Sequence, residues 1–574
     1  MRTLDTAGMA AAVVFAFAVA DGLAPVVGAA PYDVLARQVP RLLVTRLNGG
    51  GDRGVRFFPF LGKIDGERTF LRLGAMLEPQ ALVQLHRQGD ARLLCDGMLR
   101  SGFLHFRVVD AIDQRVLADH ELPFDPCRPL DALVRLEFDL MGLLGWSGRP
   151  QPAPDLGGEA LGWFLVLKDA LLRREADLAD PADDPLRPAR RCVELAAANA
   201  EVQELVLAFA AQLLRAGQQR AEVAVLLRDL AAVAPATTAA CERISALAQA
   251  AGDQALAATT AARAAALEPQ RSDLVERAAA LLFRLERHDE VRALVDAARA
   301  RGVASEAALA QLAAVCDRTG DRAGRRALTD ELLQRDRLPV PVARLVVSFL
   351  LEEGRAAPAR DVAARALVEE PRHAMLLFEL ARADLLLGAT EAAARALRAA
   401  LAAGVLPEVE PQARRLLRLA EVPGLWSGSR AVEDALAAND LPRALAVARD
   451  LVRRAATAAD AWYLLGLVHH RRGNERRAER LLRRALRRDP DCADAHNRLG
   501  ILLLTRGALQ DGHGHLLRAH ALAPHDASTR LHLAQACGLL GDQTAAALHV
   551  AAAERLGAEP SLVAAVRRSL PPSA

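Results

Sequence analysis

The chain has 574 residues, with 73 Lys+Arg against 71 Asp+Glu and a formal charge of +2. That balance argues against nucleic acid as a partner, because phosphate-backbone binding needs a basic excess. A hydrophobic content of 52% argues against wholesale disorder, and the length points to several domains. Aromatic residues make up only 4%, so the interior must be built from Ala, Gly and Leu, as suits closely approaching helices.

Residues 1–31 hold one Arg, an apolar run and then small residues, which is the make-up of a secretory leader. Asp5 and Asp21 speak against it, and Val13, Val14, Phe15, Phe17 and Val19 read as a buried strand. The expectation is a cytoplasmic protein, with export through such a leader as the alternative. Nothing later in the chain approaches the ~20 apolar residues of a membrane span.

Ten of the fifteen Phe lie before residue 140, together with runs of strand character at Val13–Ala20, Val55–Phe60, Arg92–Cys95, Phe103–Val109 and Arg115–Ala118. Helical stretches fall between them at Tyr32–Leu47, with Pro40 as a kink, and at Pro79–Arg87 and Leu130–Leu144. The order β-α-β-α-β-β-β-α predicts a small mixed sheet with helices packed on it, over 1–145. Pro150, Pro152 and Pro154 mark a linker over 146–158. Beyond it the pattern is helical to the end.

That second region repeats every 34 residues. Ala459–Cys492 recurs at Ala493–Asp526 and at Ala527–Pro560. Leu465, Leu499 and Leu533 fall in register, as do Gly473, Gly507 and Gly541, then Ala485, Ala519 and Ala553, and Pro490 with Pro524. Each unit predicts two antiparallel helices. The mid-unit Gly makes a tight turn, Gly466 and Ala478 allow close approach, Trp462, Leu465 and Leu482 fill the space around them, and Pro490 ends the second helix. The register continues upstream through Gly388, Gly354, Gly320 and Gly252, with one unit turning at Arg287-His288-Asp289, Gly217 opening the turn of another, and Pro235, Pro269 and Pro371 closing helices. Gly388 and Gly473 are too far apart for two plain units, so residues 405–458 form an expanded repeat holding Pro407, Pro423 and Trp426. Leu161–Asn199 reads as a first expanded unit around the Pro181–Pro188 loop. The count is about ten or eleven units: weaker ones over 159–404, the expanded repeat, three clear ones over 459–560, and a cap over 561–574. In the cap Leu562, Val563 and Val566 are expected to cover the last unit while Arg567 and Arg568 face water.

The unit A-W-Y-L-L-G followed by G-N, A, L, A and D-P resembles the tetratricopeptide repeat, departing from it at His469, where helix A carries an aromatic. The resemblance spans roughly 160–570. It implies a mainly α fold, an α-solenoid of stacked helix pairs, preceded here by the α/β domain. It also implies that the first helix of each unit lines a concave groove. The groove-facing candidates are Asp460, Tyr463, Leu467, His470, Asn497, Ile501, Leu504, Leu531 and Gln535. Their mixture of apolar, amide and ring groups suits an extended peptide or a partner helix. Members of the family that bind chaperones clamp a terminal carboxylate with a Lys and an Asn. The matching positions here are Tyr463 and Leu467, so that mode is not expected.

The stretch Gly89–Arg100, with Phe103–Asp110 and Arg115–Leu117, is similar to a bacterial α/β module resembling the amino-terminal domain of the Tol translocation protein. Asp96-Gly97 matches its turn between strands and Asp110-Ala111 the turn after its long strand, while Ile112-Asp113-Gln114 departs from the pattern. That resemblance implies binding or assembly and carries no active site.

Chemistry-bearing motifs are sparse. Lys63 and Lys168 are the only lysines and neither stands in a phosphate-cradling loop. The seven cysteines are scattered with no C-x-x-C, as small buried thiols in a reducing compartment would be. Hydrolase and metalloprotease motifs are absent. Nine His, namely His469, His470, His496, His513, His515, His520, His525, His532 and His549, crowd the C-terminal units without metal-ligand spacing. Arg476, Arg480, Arg483, Arg484 and Arg487 form a basic stripe on one helix, read as a solvated face or as a docking patch for an acidic partner. The sequence therefore predicts a non-enzymatic interaction scaffold with a protein or peptide partner, no cofactor and no metal. Its oligomeric state is left open. The alternative is a regulatory or sensor subunit whose N-terminal domain binds a small ligand.

Overall fold

The computed structural model describes residues 10–48, 54–64, 67–86, 91–147, 155–178, 184–234, 237–524 and 526–569. The linker prolines Pro150, Pro152 and Pro154, the loop proline Pro181, and Pro235, His525 and Leu570 lie outside them. The chain folds as two compact units, residues 1–308 and 309–574.

The first unit begins with β1 Ala10–Phe15, β2 Ala18–Val19, α1 Tyr32–Asn48, β3 Val55–Phe58, β4 Leu61–Ile64, β5 Glu67–Phe70, α2 Pro79–His86, β6 Ala91–Arg100, β7 Phe103–Asp110, β8 Arg115–Pro123 and α3 Pro129–Leu144. The sheet order is β3-β1-β6-β7-β8. β1 runs parallel to β3 and β6, and β6, β7 and β8 are antiparallel. β1 is the interior strand of the parallel half, and Ala12, Val14 and Phe15 are essentially inaccessible. This explains its unbroken apolar sequence, since a strand covered on both faces has no polar side to show. β7 alternates because one of its faces is wet: Leu104, Phe106 and Val108 are buried while Phe103 is exposed. The β4–β5 hairpin was not anticipated, because Lys63 and Arg68 break any apolar alternation there.

α1 runs through Pro40, which has no N–H for the Ala36 carbonyl. Phe17 N–H, between β1 and β2, donates to that carbonyl at 2.8 Å, so the freed acceptor ties the helix to the sheet. Asp96-Gly97 is not a turn. It lies within β6, with Gly97 opposite Phe106. A Cβ on Gly97 would stand 2.8 Å from the Phe17 ring, so the glycine makes room for that ring. The turn after β7 does form at Asp110, whose side chain accepts from Ile112 N–H (2.9 Å) and Asp113 N–H (3.1 Å).

The helix pairs begin within the same unit: α4 Gly158–Glu175 with α5 Arg187–Ala196, α6 Ala200–Arg215 with α7 Arg220–Val233, α8 Thr238–Ala251 with α9 Gln254–Leu267, and α10 Ser272–Arg284 with α11 His288–Ala300. The sheet module is fastened to the first pair. Arg37 of α1 makes a bidentate pair with Asp169 of α4, both bonds 2.7 Å, and Gln38 adds a third hydrogen bond at 3.2 Å. Gly162 of α4 lets the backbone at 28–30 approach to about van der Waals contact. The turn of the α10–α11 unit uses Glu286 at φ +58°, one residue before the expected Arg287-His288-Asp289.

The pairs continue with α12 Glu306–Arg318 and α13 Arg322–Leu333, α14 Val340–Glu352 and α15 Ala356–Glu369, and α16 Ala374–Leu386 and α17 Thr390–Ala403. Then a single helix, α18 Glu410–Glu421, breaks the alternation. Pairing resumes with α19 Leu425–Ala437 and α20 Leu441–Arg454, α21 Ala459–Arg471 and α22 Glu475–Arg488, α23 Ala493–Thr505 and α24 Leu509–Leu522, and α25 Ala527–Leu539 and α26 Gln543–Arg555, followed by α27 Pro560–Ser569. The architecture is thus mainly α, a tandem of helix pairs behind a small α/β module. The extra residues of the expanded repeat are α18 itself.

Gly473 sits at φ +73°, and its N–H and that of Asn474 bond back to His470 and His469 at 2.9 Å, closing α21. Contact between the two helices of a pair is equally specific. A Cβ on Gly466 would stand 3.1 Å from Leu482, and one on Gly500 would stand 2.9 Å from the Gly512 carbonyl. In the cap, Val563 and Val566 are buried with Leu531 and Val550, as expected, but Leu562 is exposed.

Candidate functional site

The site is assembled around α18. Pro411 stands in its first turn, where a missing N–H costs nothing, and Pro423 follows its end. Trp426 anchors the segment after it, donating from Nε1 to the Leu385 carbonyl at 2.8 Å. Ala413, Leu419 and Ala420 of α18 turn inward, leaving Arg414, Arg415 and Arg418 on the other side.

A groove of about 1130 Å3 lies between α18 and the starts of α21, α23 and α25. Arg418 reaches Asp460 (3.5 Å) and Asp489 (3.7 Å), and Arg415 reaches Asp494 (3.1 Å). Asp460 is only 3% exposed, and burial lifts its carboxyl above the ordinary value against the opposing pull of Arg418 and Arg415. Asp460 and Asp494 occupy the first turns of α21 and α23, where a carboxylate complements the helix dipole. Asp526 caps α25, accepting from Ser528 and Thr529 N–H at 3.1 Å. The lining carries eight acidic side chains against four arginines and no lysine or histidine, so the groove is net acidic.

Of the nine groove candidates, the structure puts Asp460 and Asn497 on this lining. Asn497 also accepts from His532 Nδ1 at 2.9 Å, and burial with the nearby Arg498 pushes His532 down to about 4. Tyr463 and Leu467 pack against the apolar cluster of α19–α21, and burial pushes the Tyr463 hydroxyl upward. Leu504 and Leu531 are interior side chains of the last pairs and not groove wall. His470, Ile501 and Gln535 are half-buried outside the groove lining. Burial, then Arg498, lowers the His470 imidazole. Arg415, Arg418, Asp489 and Asp494 were missed. Asp494 repeats Asp460 one period later, a signal the sequence did contain. The arginines sit in an insertion for which the repeat gives no template.

The basic stripe on α22 is exposed throughout. Arg483 pairs with Glu479 at 2.9 Å and the Arg484 guanidinium lies 4.0 Å from the Trp462 ring centre. Among the described residues no group of three or more His, Cys, Asp or Glu is placed to hold a metal ion, and no helix is long and apolar enough to cross a membrane. The seven cysteines form no disulfide, and Cys192, Cys241, Cys316 and Cys537 are buried among the helices.

Comparison with known proteins centres on the same region. Residues 459–502 match one family model of the tetratricopeptide repeat and residues 430–475 a second. No curated protein matches the chain. Among solved structures, the chain is similar to YrrB, described as a TPR protein with an unusual peptide-binding site, at 12% identity over 42% of this chain and 97% of that one, with a TM-score of 0.19. It is similar to the TPR domain of P58(IPK) at 16% identity over 59% and 98%, TM-score 0.20. It is also similar to MamA from Desulfovibrio magneticus RS-1 at 19% identity over 33% and 96%, TM-score 0.18. At such TM-scores these likenesses carry no argument about binding.

Proposed function

We propose that the protein is a non-enzymatic interaction scaffold whose C-terminal helix pairs bind an extended, basic segment of a partner protein along the groove beneath α18. The observation that carries this reading is the groove itself: eight acidic side chains against four arginines, on a wall built from the starts of three consecutive first helices. The tetratricopeptide character of 430–502 supports it, since stacked pairs present such a surface in register. Arg415 pairs with Asp494, Arg418 with Asp460, Arg414 with Glu410 and Arg518 with Asp491, so it is the surplus of carboxylates over arginines along the lining, Asp494 included, that would draw a basic segment. The N-terminal module is read as an assembly element. Its likeness to the Tol-type domain is supported by the Asp110 turn and weakened by the position of Asp96-Gly97. A panel of extended peptides presented to the full chain tests the scaffold reading. Lys/Arg-rich sequences are expected to bind and to lose affinity on Asp494→Lys. Equal binding of acidic and basic sequences would remove the basis for the proposal.

A further inference from the structure

A second cleft, of about 520 Å3, lies between α22, the start of α23 and α24, and shares no lining residue with the groove. Its lining holds Arg483 and Arg487 from α22, Arg518 from α24, His496 and His515, and no carboxylate. Arg483 also touches Glu479 and Arg518 touches Asp491, but Arg487 takes part in no ion pair among the described residues.

The two histidines form a directed chain. His496 Nε2 lies 3.0 Å from the Pro490 carbonyl, which can only accept, so this nitrogen carries the proton. His496 Nδ1 then offers a lone pair, and His515 Nδ1, 2.9 Å away, must donate to it. His515 Nε2 is left with a free lone pair. One proton can be added there without breaking either bond. Asp489 and Asp491 before α23, Asp511 on α24, and Arg483 and Arg518 surround the pair. Burial, assisted by Arg518 at His496 and by His496 and Arg483 at His515, lowers both imidazoles. Three guanidiniums repel a metal cation. They suit a ligand with charge near −2 and more than two acceptor oxygens.

We propose that this cleft binds a tetrahedral oxyanion of the phosphate class, held by Arg483, Arg487 and Arg518, with His515 taking up a proton at Nε2 as the anion arrives. The proton changes hands without covalent chemistry: solvent supplies it, and the new N–H donates to an anion oxygen.

Calorimetric titration of the full chain with inorganic sulfate tests this, because sulfate keeps its charge across the range where histidine titrates. Saturable binding is expected, strengthening several-fold from pH 7.5 to 5.5. Arg487→Gln, an exposed change, is expected to weaken it about tenfold. His515→Asn is expected to flatten the pH dependence while leaving binding at pH 7.5. Absence of binding, or binding that both variants leave unaltered, overturns the proposal. Inorganic phosphate and a phosphoserine peptide separate the sources of the anion. A much tighter peptide marks a partner-borne phosphoryl group, equal affinities mark the free ion, and silence from both contradicts the site.

Discussion

At the scale of single residues, the most informative positions are those where a side chain is missing or misplaced. A Cβ on Gly500 would meet Leu516 at 2.6 Å and the Gly512 carbonyl at 2.9 Å. Gly500→Ala should therefore cost about 1–3 kcal/mol through overpacking, read as a lower urea midpoint. His469 stands where the repeat carries an aromatic, and it is 2% exposed with both ring nitrogens unpartnered. Burial, then Arg477, Arg472 and Arg449, hold its folded-state proton affinity below the ordinary histidine value of 6.5. The unfolded chain therefore takes up the proton first as pH falls, and stability present above 6.5 is lost below it. His532, down to about 4, extends the same loss across that window. Melting the protein between pH 7.5 and 4.5 should show this decline, and His469→Phe should raise stability by about 1–3 kcal/mol at pH 7.5 and shrink the decline. A Phe variant with the wild-type acid profile would place the effect elsewhere. The glycine register was legible in sequence because backbone geometry demands the residue type. The orphaned nitrogens were not, because sequence names a neighbour in register but not the atoms around it.

At the scale of elements, the period told where helices turn, and the left-handed Gly473 confirms why. It also placed the extra residues of 405–458, but not that they form one helix laid beside the groove. An insertion breaks the periodicity from which orientation is inferred. The same holds for Leu504 and Leu531, assigned to the groove by unit position but drawn into the core by the helix that follows. The attachment of α1 to α4 was equally hidden, since it joins residues far apart in sequence. Arg37 and Asp169 are 9% and 4% exposed at their side chains. Asp169→Asn leaves the guanidinium buried without its charge partner and should cost about 3–5 kcal/mol. Hydrogen exchange should show faster opening in α1 and α4 together. Unaltered protection in both would mean that apolar contact alone fastens the module.

At the scale of the whole molecule, small side chains in the interior follow from stacking. Each pair is stabilised mainly by its neighbours, so a chain can be long without a large core. The low aromatic content is the signature of that design, and the rings that exist are concentrated in the sheet module, where Phe15, Phe58 and Phe60 pack together. α27 covers the α25–α26 pair. Ending the chain after Gly557 removes Val563 and Val566 from Leu531 and Val550. Exchange protection should then fall in α25 and α26 and persist in α16 and α17. Uniform loss across the second unit would instead indicate all-or-none folding.

The central claim is that a basic, extended partner lies in the groove beneath α18. A photoreactive residue replacing Asn497 tests it directly, because this side chain lines the groove between Asp494 and the start of α25. The account predicts that irradiation joins the full chain to a Lys/Arg-rich extended peptide, that excess unlabelled basic peptide blocks this, and that an Asp/Glu-rich peptide is not captured. Capture of the acidic peptide in preference, or of neither while the basic peptide still binds the chain, would contradict it.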